Sequence, residues 1–297
     1  MGQYARLLTV VDLRKRHSPA LNRAEMLAKE GDAAVHVMAC IEPPWSWPLL
    51  DKQIRSKARE GFLLEARQRL EEQVAPLRHR GLSVTAGPMW TATPHAEILR
   101  HVEEMQPEML IKDVERVGEF RRTFATPLDW QLLRDCDVPL HLVGEGGRAH
   151  PQKIAAAVDT SSEQGPDTPL NRRIVEAAST LALQCNAELH LVHAFNLLEI
   201  FPGDIGTAWA DVAGDLRTHE LENFMRFADA CGVPQHCRQF LLGPPAQTLA
   251  EFVRDADVDV LVMGRIQHRG IERYVGSTTE NVLYQISGSL LAIRPEA

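Results

Sequence analysis

No Gly-x-x-x-x-Gly-Lys phosphate loop, no Gly-x-Ser-x-Gly elbow and no His-Glu-x-x-His pair occurs anywhere in this chain. Phosphoryl transfer on a P-loop, hydrolysis by an elbow serine and zincin-type proteolysis therefore lack their usual residues. Basic side chains are outnumbered, 32 against 40 acidic, for a net charge of −8. A nucleic-acid partner needs a basic face, so none is expected. No run approaches the roughly 18–20 apolar residues that span a bilayer. Met1-Gly2-Gln3-Tyr4 leads directly into a strand pattern, without the basic and apolar stretches of a secretory signal. The expected setting is cytoplasmic, with no membrane partner.

Cysteine is sparse and unpaired in pattern. Cys40, Cys136, Cys185, Cys231 and Cys237 form an odd set without a Cys-x-x-Cys pair, which reads as reduced thiols. Cys231, His236 and Cys237 lie close enough in sequence to suggest metal ligands. A strand over 235–242 would, however, point His236 and Cys237 to opposite faces, which favours ordinary packing.

What the chain does have is repetition. The buried-strand pattern Glu108-Met109-Leu110-Ile111-Lys112-Asp113 returns about 150 residues later as Asp259-Val260-Leu261-Val262-Met263-Gly264. A loop follows each, then a helix start: Thr126-Pro127-Leu128-Asp129-Trp130 in the first copy, Ser277-Thr278-Thr279-Glu280-Asn281 in the second. An offset that survives strand, loop and helix start indicates a duplicated domain. The boundary falls in the glycine-rich stretch from Gly144 to Pro151, giving domains of 1–146 and 150–297.

Within each copy strands alternate with helices. Ala5–Val11 and Ile154–Val158 are unbroken apolar runs, as suits strands covered on both faces. Long helices are expected over Asp51–Arg80 and Thr207–Ala230, closed by Gly81 and Gly232. Pro94 and Pro245 open the third helices, and Pro127 fits a first helical position. The alternation predicts an α/β fold, a mostly parallel doubly wound sheet with helices on both faces.

Such sheets bind ligands at the carboxyl ends of their strands. The candidates there are Asp159, the turn after Ala194, and the loop from Gly264 to Gly276. That loop carries Gly264, Gly270 and Gly276, with Arg265, His268, Arg269 and Arg273 against the single acid Glu272. Ser277 and Glu280 have the spacing of a capping box at the next helix. Glycines, and the N–H groups and positive dipole end of a helix start, suit an anion, while a flexible surface loop with a good cap is the plainer alternative. The first copy has Asp113 where the second has Gly264, Gly118 as its only glycine, and Glu115 and Glu119 against its arginines. It keeps the capping spacing, as Thr126-x-x-Asp129, but not a phosphate cradle. Asp12 and Asp159 could each accept a ligand hydrogen bond or cap their own loop. Trp45, Trp47 and Trp209 suit covering a helix or an interface better than a ligand shelf. Ser161 and Ser162 sit in no nucleophile elbow.

The run Thr126-Pro127-Leu128-Asp129-Trp130-Gln131-Leu132-Leu133-Arg134, with Val262-Met263-Gly264, Gly270 and Gly276-Ser277-Thr278-Thr279-Glu280, resembles the universal stress protein family, closest to its tandem E-type bacterial members. The resemblance covers essentially the whole chain. It implies two Rossmann-like domains, each with a five-stranded parallel sheet, paired about an approximate two-fold axis. In ATP-binding relatives the adenine end is held by a first-strand aspartate and a second-strand backbone, which map to Asp159 and Ala194. The phosphates map to Met263, Gly264, Arg265, Gly276, Ser277 and Thr278. The chain departs from the family's nucleotide pattern: Gln267 replaces the second glycine and the loop is one residue shorter, so side chain and path both crowd the cradle.

The expectation is a stress-response binding protein without a dedicated catalytic centre. Its second domain takes a nucleotide, ATP with Mg²⁺, or another small anionic ligand. The rivals are a nucleotide hydrolase or phosphotransferase using Asp159 and the loop arginines, and a carrier of an apolar or nucleotide-sugar-like molecule. No general base converges with a pair of metal-binding carboxylates in the pattern, which disfavours the enzyme.

Overall fold

The computed structural model describes residues 4–115, 127–146, 148–161, 168–197, 207–265, 277–283 and 285–295. The chain divides into two units, Met1–Glu145 and Gly146–Ala297. Both are α/β, each built on a parallel sheet.

The first unit runs β1 (Arg6–Val10), α1 (Pro19–Gly31), β2 (Ala34–Ile41), α2 (Lys52–His79), β3 (Val84–Trp90), α3 (Pro94–Met105), β4 (Met109–Asp113), α4 (Leu128–Asp135) and β5 (Leu140–Val143). All its strand pairs are parallel, in the order β3-β2-β1-β4-β5. The second unit runs β6 (Lys153–Ala157), α5 (Pro169–Cys185), β7 (Glu188–Phe195), α6 (Thr207–Ala230), β8 (Arg238–Leu242), α7 (Pro245–Asp255), β9 (Val260–Gly264), α8 (Ser277–Leu283) and β10 (Ser289–Ile293). Its order is β8-β7-β6-β9-β10, again parallel throughout. The chain therefore reverses its direction of travel across the sheet between β1 and β4, and between β6 and β9. Such a reversal opens a crevice beyond the strand ends, where the following loops part to opposite faces.

The central strands are apolar because helices cover both faces. Leu110, Ile111, Leu261 and Val262 are fully buried, each contributing about 1.5–3 kcal/mol relative to exposure. Local chemistry sets where the helices begin and end. Ser18 accepts from the Leu21 N–H at 3.1 Å and Thr168 from the Asn171 N–H at 3.1 Å, each just before a proline that opens its helix. Asp51 caps α2 through the Gln53 and Ile54 N–H groups, both at 2.9 Å. Gly81 (φ +88°) and Gly232 (φ +67°) follow the long helices in the left-handed conformation that glycine adopts without strain.

Two local expectations change. Pro127, at φ −56° and ψ 146°, is the extended residue before α4 and not its first helical residue. The segment Gln235–Cys237 is a 3₁₀ turn, closed by the Cys237 N–H on the Pro234 carbonyl at 3.0 Å, and β8 begins only at Arg238. Pro234 fixes the backbone entering that turn, so His236 and Cys237 do not alternate as strand neighbours would. Among the described residues no helix is long and apolar enough to cross a membrane.

Candidate functional site

In the second unit a cavity of about 390 Å³ opens where β6, β7 and β9 end, flanked by the first turns of α5 and α8. Asp159, Ala194, Met263, Gly264 and Thr278, all singled out in the sequence, line it together. Arg265 does not: its side chain is 1% exposed, and its backbone N–H bonds the Ile293 carbonyl at 2.9 Å. Gly276 and the Ser277 side chain lie outside the described residues, as do Gln267, Gly270, His268, Arg269, Glu272 and Arg273.

Asp159 follows β6 in a turn held by its neighbour in space, Asn171. The Asp159 N–H donates to Asn171 Oδ1 at 3.1 Å, and Asn171 Nδ2 donates back to the Asp159 carbonyl at 2.6 Å. One carboxylate oxygen of Asp159 accepts the Ser161 N–H at 3.0 Å. The loop-capping role is thus real, and it engages only one of the two oxygens in that bond. Thr279 donates its hydroxyl to the Gly264 carbonyl at 3.1 Å and so ties α8 to the end of β9.

Gly264 has a packing reason for lacking a side chain. A Cβ there would lie 2.7 Å from Leu170 Cδ2 and 3.2 Å from Ile174 Cδ1. Both residues line the cavity, so glycine lets α5 lay an apolar floor against the strand end. The walls are largely apolar, with Val158, Phe195 and Leu249 adding to that floor. Asp159 is the only charged group among the described lining residues, and it is acidic. As described, the cavity suits a flat, weakly polar group with hydrogen-bonding edges.

Sequence reasoning missed His193. It is buried on β7, stacked near Phe195, Phe224 and Phe240 with ring centroids 5.5–6.5 Å away. Its Nδ1 lies 3.0 Å from the Val158 carbonyl, and its Nε2 3.4 Å from the Ser161 hydroxyl. The Thr160 N–H also faces Nδ1, at 3.4 Å; a proton on Nδ1 would serve the shorter contact, with the carbonyl, and leave Nε2 to accept from the serine. A histidine inside Leu189-His190-Leu191-Val192-His193-Ala194-Phe195 carries no local mark of that position.

The first unit has a larger cavity, about 680 Å³, at the corresponding strand ends. Its cations are already matched by carboxylates. Arg14 binds Asp12 through two nitrogens at 2.8 and 2.9 Å, Lys15 faces Glu145 at 3.4 Å, and Arg69 pairs with Glu65 at 2.6 Å. Burial opposes ionisation at Asp12, but the hydrogen bonds and charge of Arg14 outweigh it and hold the carboxyl below its ordinary value. Lys112 Nζ contacts Asp129 at 2.8 Å, the Asp113 carbonyl at 3.0 Å and Glu115 at 3.3 Å. Asp129 also accepts the Glu115 N–H at 2.8 Å, through its other oxygen. Asp113 accepts the Ala20 N–H at 2.7 Å, placing a carboxylate over the start of α1. Thr126, Gly118, Glu119 and the loop arginines lie outside the described residues.

Of the tryptophans, Trp47 packs on Trp90 at 4.8 Å, and Phe62 of α2 lies 5.8 Å from the same ring, a helix-covering arrangement. Trp45 is 88% exposed, and the Trp209 side chain lies outside the described residues. All five cysteines are free.

The profile of the Universal stress protein family matches residues 3–144 and again 151–294. The chain is 24% identical to Universal stress protein E of Escherichia coli K12 over 306 aligned positions, covering 100% of this chain and 96% of that protein. It is also 24% identical to the Universal stress protein E homolog of Haemophilus influenzae, covering 83% of this chain and 81% of that one. Among solved structures, a functionally unknown protein from Pseudomonas aeruginosa PAO1 superposes with a TM-score of 0.73 at 21% identity, covering 98% of this chain and 93% of that one. A universal stress protein from Archaeoglobus fulgidus gives 0.63 at 17% identity, covering 97% and 96%.

Proposed function

Because the chain belongs to the universal stress protein family, as a tandem E-type member, we propose that its second domain binds the nucleoside end of a nucleotide, or a small anionic ligand of similar shape. Membership supports a stress-response role. The observation that carries the binding proposal is the convergence of Asp159, Ala194, Met263, Gly264 and Thr278 on one cavity at the switch between β6 and β9. Asp159 has carboxylate capacity beyond its Ser161 bond, enough to accept from a ribose or a base edge. The apolar floor of Leu170 and Ile174 gives a ring a dry face to lie on.

We read the site as a binding site, not a catalytic one. Ser161 and His193 are adjacent, but His193 Nδ1 faces the Val158 backbone carbonyl at 3.0 Å, where a hydrolytic triad places the carboxylate that stabilises an imidazolium. Titration calorimetry of the full chain with ATP and Mg²⁺, and separately with adenosine, tests the reading. Single-site binding of both, lost in Ala194→Phe, is expected. No heat with either ligand, or unchanged binding in Ala194→Phe, overturns it. ATP turnover above background that disappears in Ser161→Ala or Asp159→Ala would favour an enzyme instead.

The largely apolar walls favour one second reading, a carrier of an apolar small molecule. Native mass spectrometry of the purified chain distinguishes it, through a retained mass that ATP does not displace.

A further inference from the structure

At the opposite end of β7 from the cavity, three metal-ligating side chains gather, Glu188, His190 and Cys237, with His236 beside Glu188. Glu188 and His190 are two residues apart on one strand and so share a face of the sheet. Leu191 pairs with Arg238, which sets the preceding Cys237 beside His190. The 3₁₀ turn at Gln235–Cys237 brings His236 to the same place. His190 Nε2 lies 3.0 Å from Glu188 Oε2, Cys237 Sγ 3.5 Å from Glu188 Oε1, and His236 Nε2 3.7 Å from that same oxygen. One ligand atom from each of Glu188, His190 and Cys237 falls within 4.8 Å of the others.

The distances from Glu188 to His190 and Cys237 are near those of a tetrahedral centre, and the 4.8 Å bound on the set leaves about 1 Å for the side chains to close on an ion. Zinc bonds of about 2.0–2.1 Å to nitrogen or oxygen and about 2.3 Å to sulfur put neighbouring ligands about 3.3–3.6 Å apart. The donor set is mixed, thiol, imidazole and carboxylate, which suits zinc or cobalt over magnesium or calcium. Burial is graded in the way a site with an entry path requires. Cys237 and His190 are 2% and 8% exposed, whereas the Glu188 and His236 side chains are 46% and 74% exposed. His190 Nδ1 is buried with no hydrogen-bond partner among the described residues, which leaves Nε2, the atom facing Glu188, as its bonding nitrogen.

We infer that the second domain holds a divalent transition metal of the zinc class on Cys237 Sγ, His190 Nε2 and a Glu188 oxygen, with His236 Nε2 or water completing four ligands. Burial, and then the hydrogen bond and charge of Glu188, push the Cys237 thiol above its ordinary pKa without a metal. Binding would break that S–H bond, form a metal–thiolate bond and release the proton to solvent. The metal would join β7 to the turn before β8, far along β7 from Ala194, and so is independent of ligand binding.

The test uses the full chain, stripped with chelator and titrated with Co²⁺ and with Zn²⁺. One equivalent should bind, with cobalt giving tetrahedral visible bands and a near-ultraviolet thiolate-to-metal charge-transfer band. Cys237→Ser should remove the charge-transfer band, and Glu188→Gln should weaken Zn²⁺ by at least about tenfold. Because Glu188 is half exposed, that variant keeps the assignment testable if Cys237→Ser fails to fold. Cys231→Ser should leave both readouts unchanged. Absence of cobalt bands and zinc heat in the parent chain overturns the site, as does Zn²⁺ affinity unchanged by Glu188→Gln.

Discussion

Lys112 Nζ and Asp129 Oδ1 lie 2.8 Å apart, with side chains 6% and 0% exposed. The pair joins the end of β4 to the first turn of α4 across the loop between them, and Glu115 Oε1 and the Asp113 carbonyl complete the ammonium's contacts. Removing one member strands the other in a poor dielectric, which costs about 3–5 kcal/mol, whereas replacing both by apolar groups is far milder. Lys112→Met should therefore lower urea-unfolding stability by about that amount, and Lys112→Met with Asp129→Leu should recover most of it. Equal losses in the single and double variants would show that the pair is not coupled.

The same lysine sets an alkaline limit. Burial alone would depress its pKa, but the charges of Asp129 and Glu115 and their hydrogen bonds prevail, so it is raised above the ordinary 10.5. A raised folded value means that the contribution is complete below the unfolded pKa and is lost as pH rises through the folded one. The parent chain should lose stability above pH 10.5 more steeply than Lys112→Met, as read by denaturant midpoints across that range. Parallel profiles would contradict the linkage.

Asp113 predicts the opposite ordering at acid pH. Burial dominates and raises its carboxyl pKa despite the Ala20 N–H bond, the Ser18 hydrogen bond and the nearby lysines. Its Oδ2 is buried without a hydrogen-bond partner among the described residues. Its contribution is present below the unfolded pKa, near 3.8, and declines as pH rises through the folded value. Asp113→Asn keeps an acceptor for Ala20 and removes that titration. Its stability relative to the parent should improve from pH 3.8 upward, measured by thermal midpoints. A difference independent of pH would rule this out.

Much of the fold was written in local pattern. Unbroken apolar runs marked β4 and β9, prolines marked the starts of α3 and α7, and Gly81 and Gly232 marked where the long helices stop. The strand-end positions of Asp159, Ala194 and Met263 followed from that alternation, because parallel strands deliver their carboxyl ends to one edge. Partners distant in sequence were not legible. Nothing near Lys112 announces Asp129 seventeen residues on, and nothing near His193 announces Ser161. The turn at Gln235–Cys237 was hidden because Pro234 breaks a segment whose residue types read as strand. Gly264 was legible as special, yet the visible reason, contact with Leu170, belongs to tertiary packing and not to the loop that follows.

That contact makes a graded prediction. In Gly264→Ala the new methyl starts 2.7 Å from Leu170 Cδ2, the movable tip of a side chain, and 3.2 Å from Ile174 Cδ1. Overpacking of this kind costs about 1–3 kcal/mol. Gly264→Ala with Leu170→Ala should regain part of the loss in chemical denaturation. A single variant as stable as the parent would mean that Leu170 moves aside freely, and that the cavity floor is not set by this glycine.

Asn171 bears most directly on the proposed ligand site. Its side chain satisfies both backbone groups of Asp159, the N–H at 3.1 Å and the carbonyl at 2.6 Å, and thereby aims the turn that carries the Asp159 carboxylate. Asn171→Ala leaves two backbone groups to find water or stay unpaired, a loss of about 1–3 kcal/mol. Asn171→Asp keeps an acceptor for the N–H but sets an oxygen against the carbonyl and a second negative charge beside Asp159, so it should be the worse substitution despite its matching shape. If the turn shapes the cavity, ATP and adenosine affinities should fall in both variants under conditions where each remains folded, with Asn171→Asp again lower. Stability reduced with affinity intact would separate the two roles, leaving Asn171 as a brace for the first turn of α5 and the ligand held by other walls of the cavity.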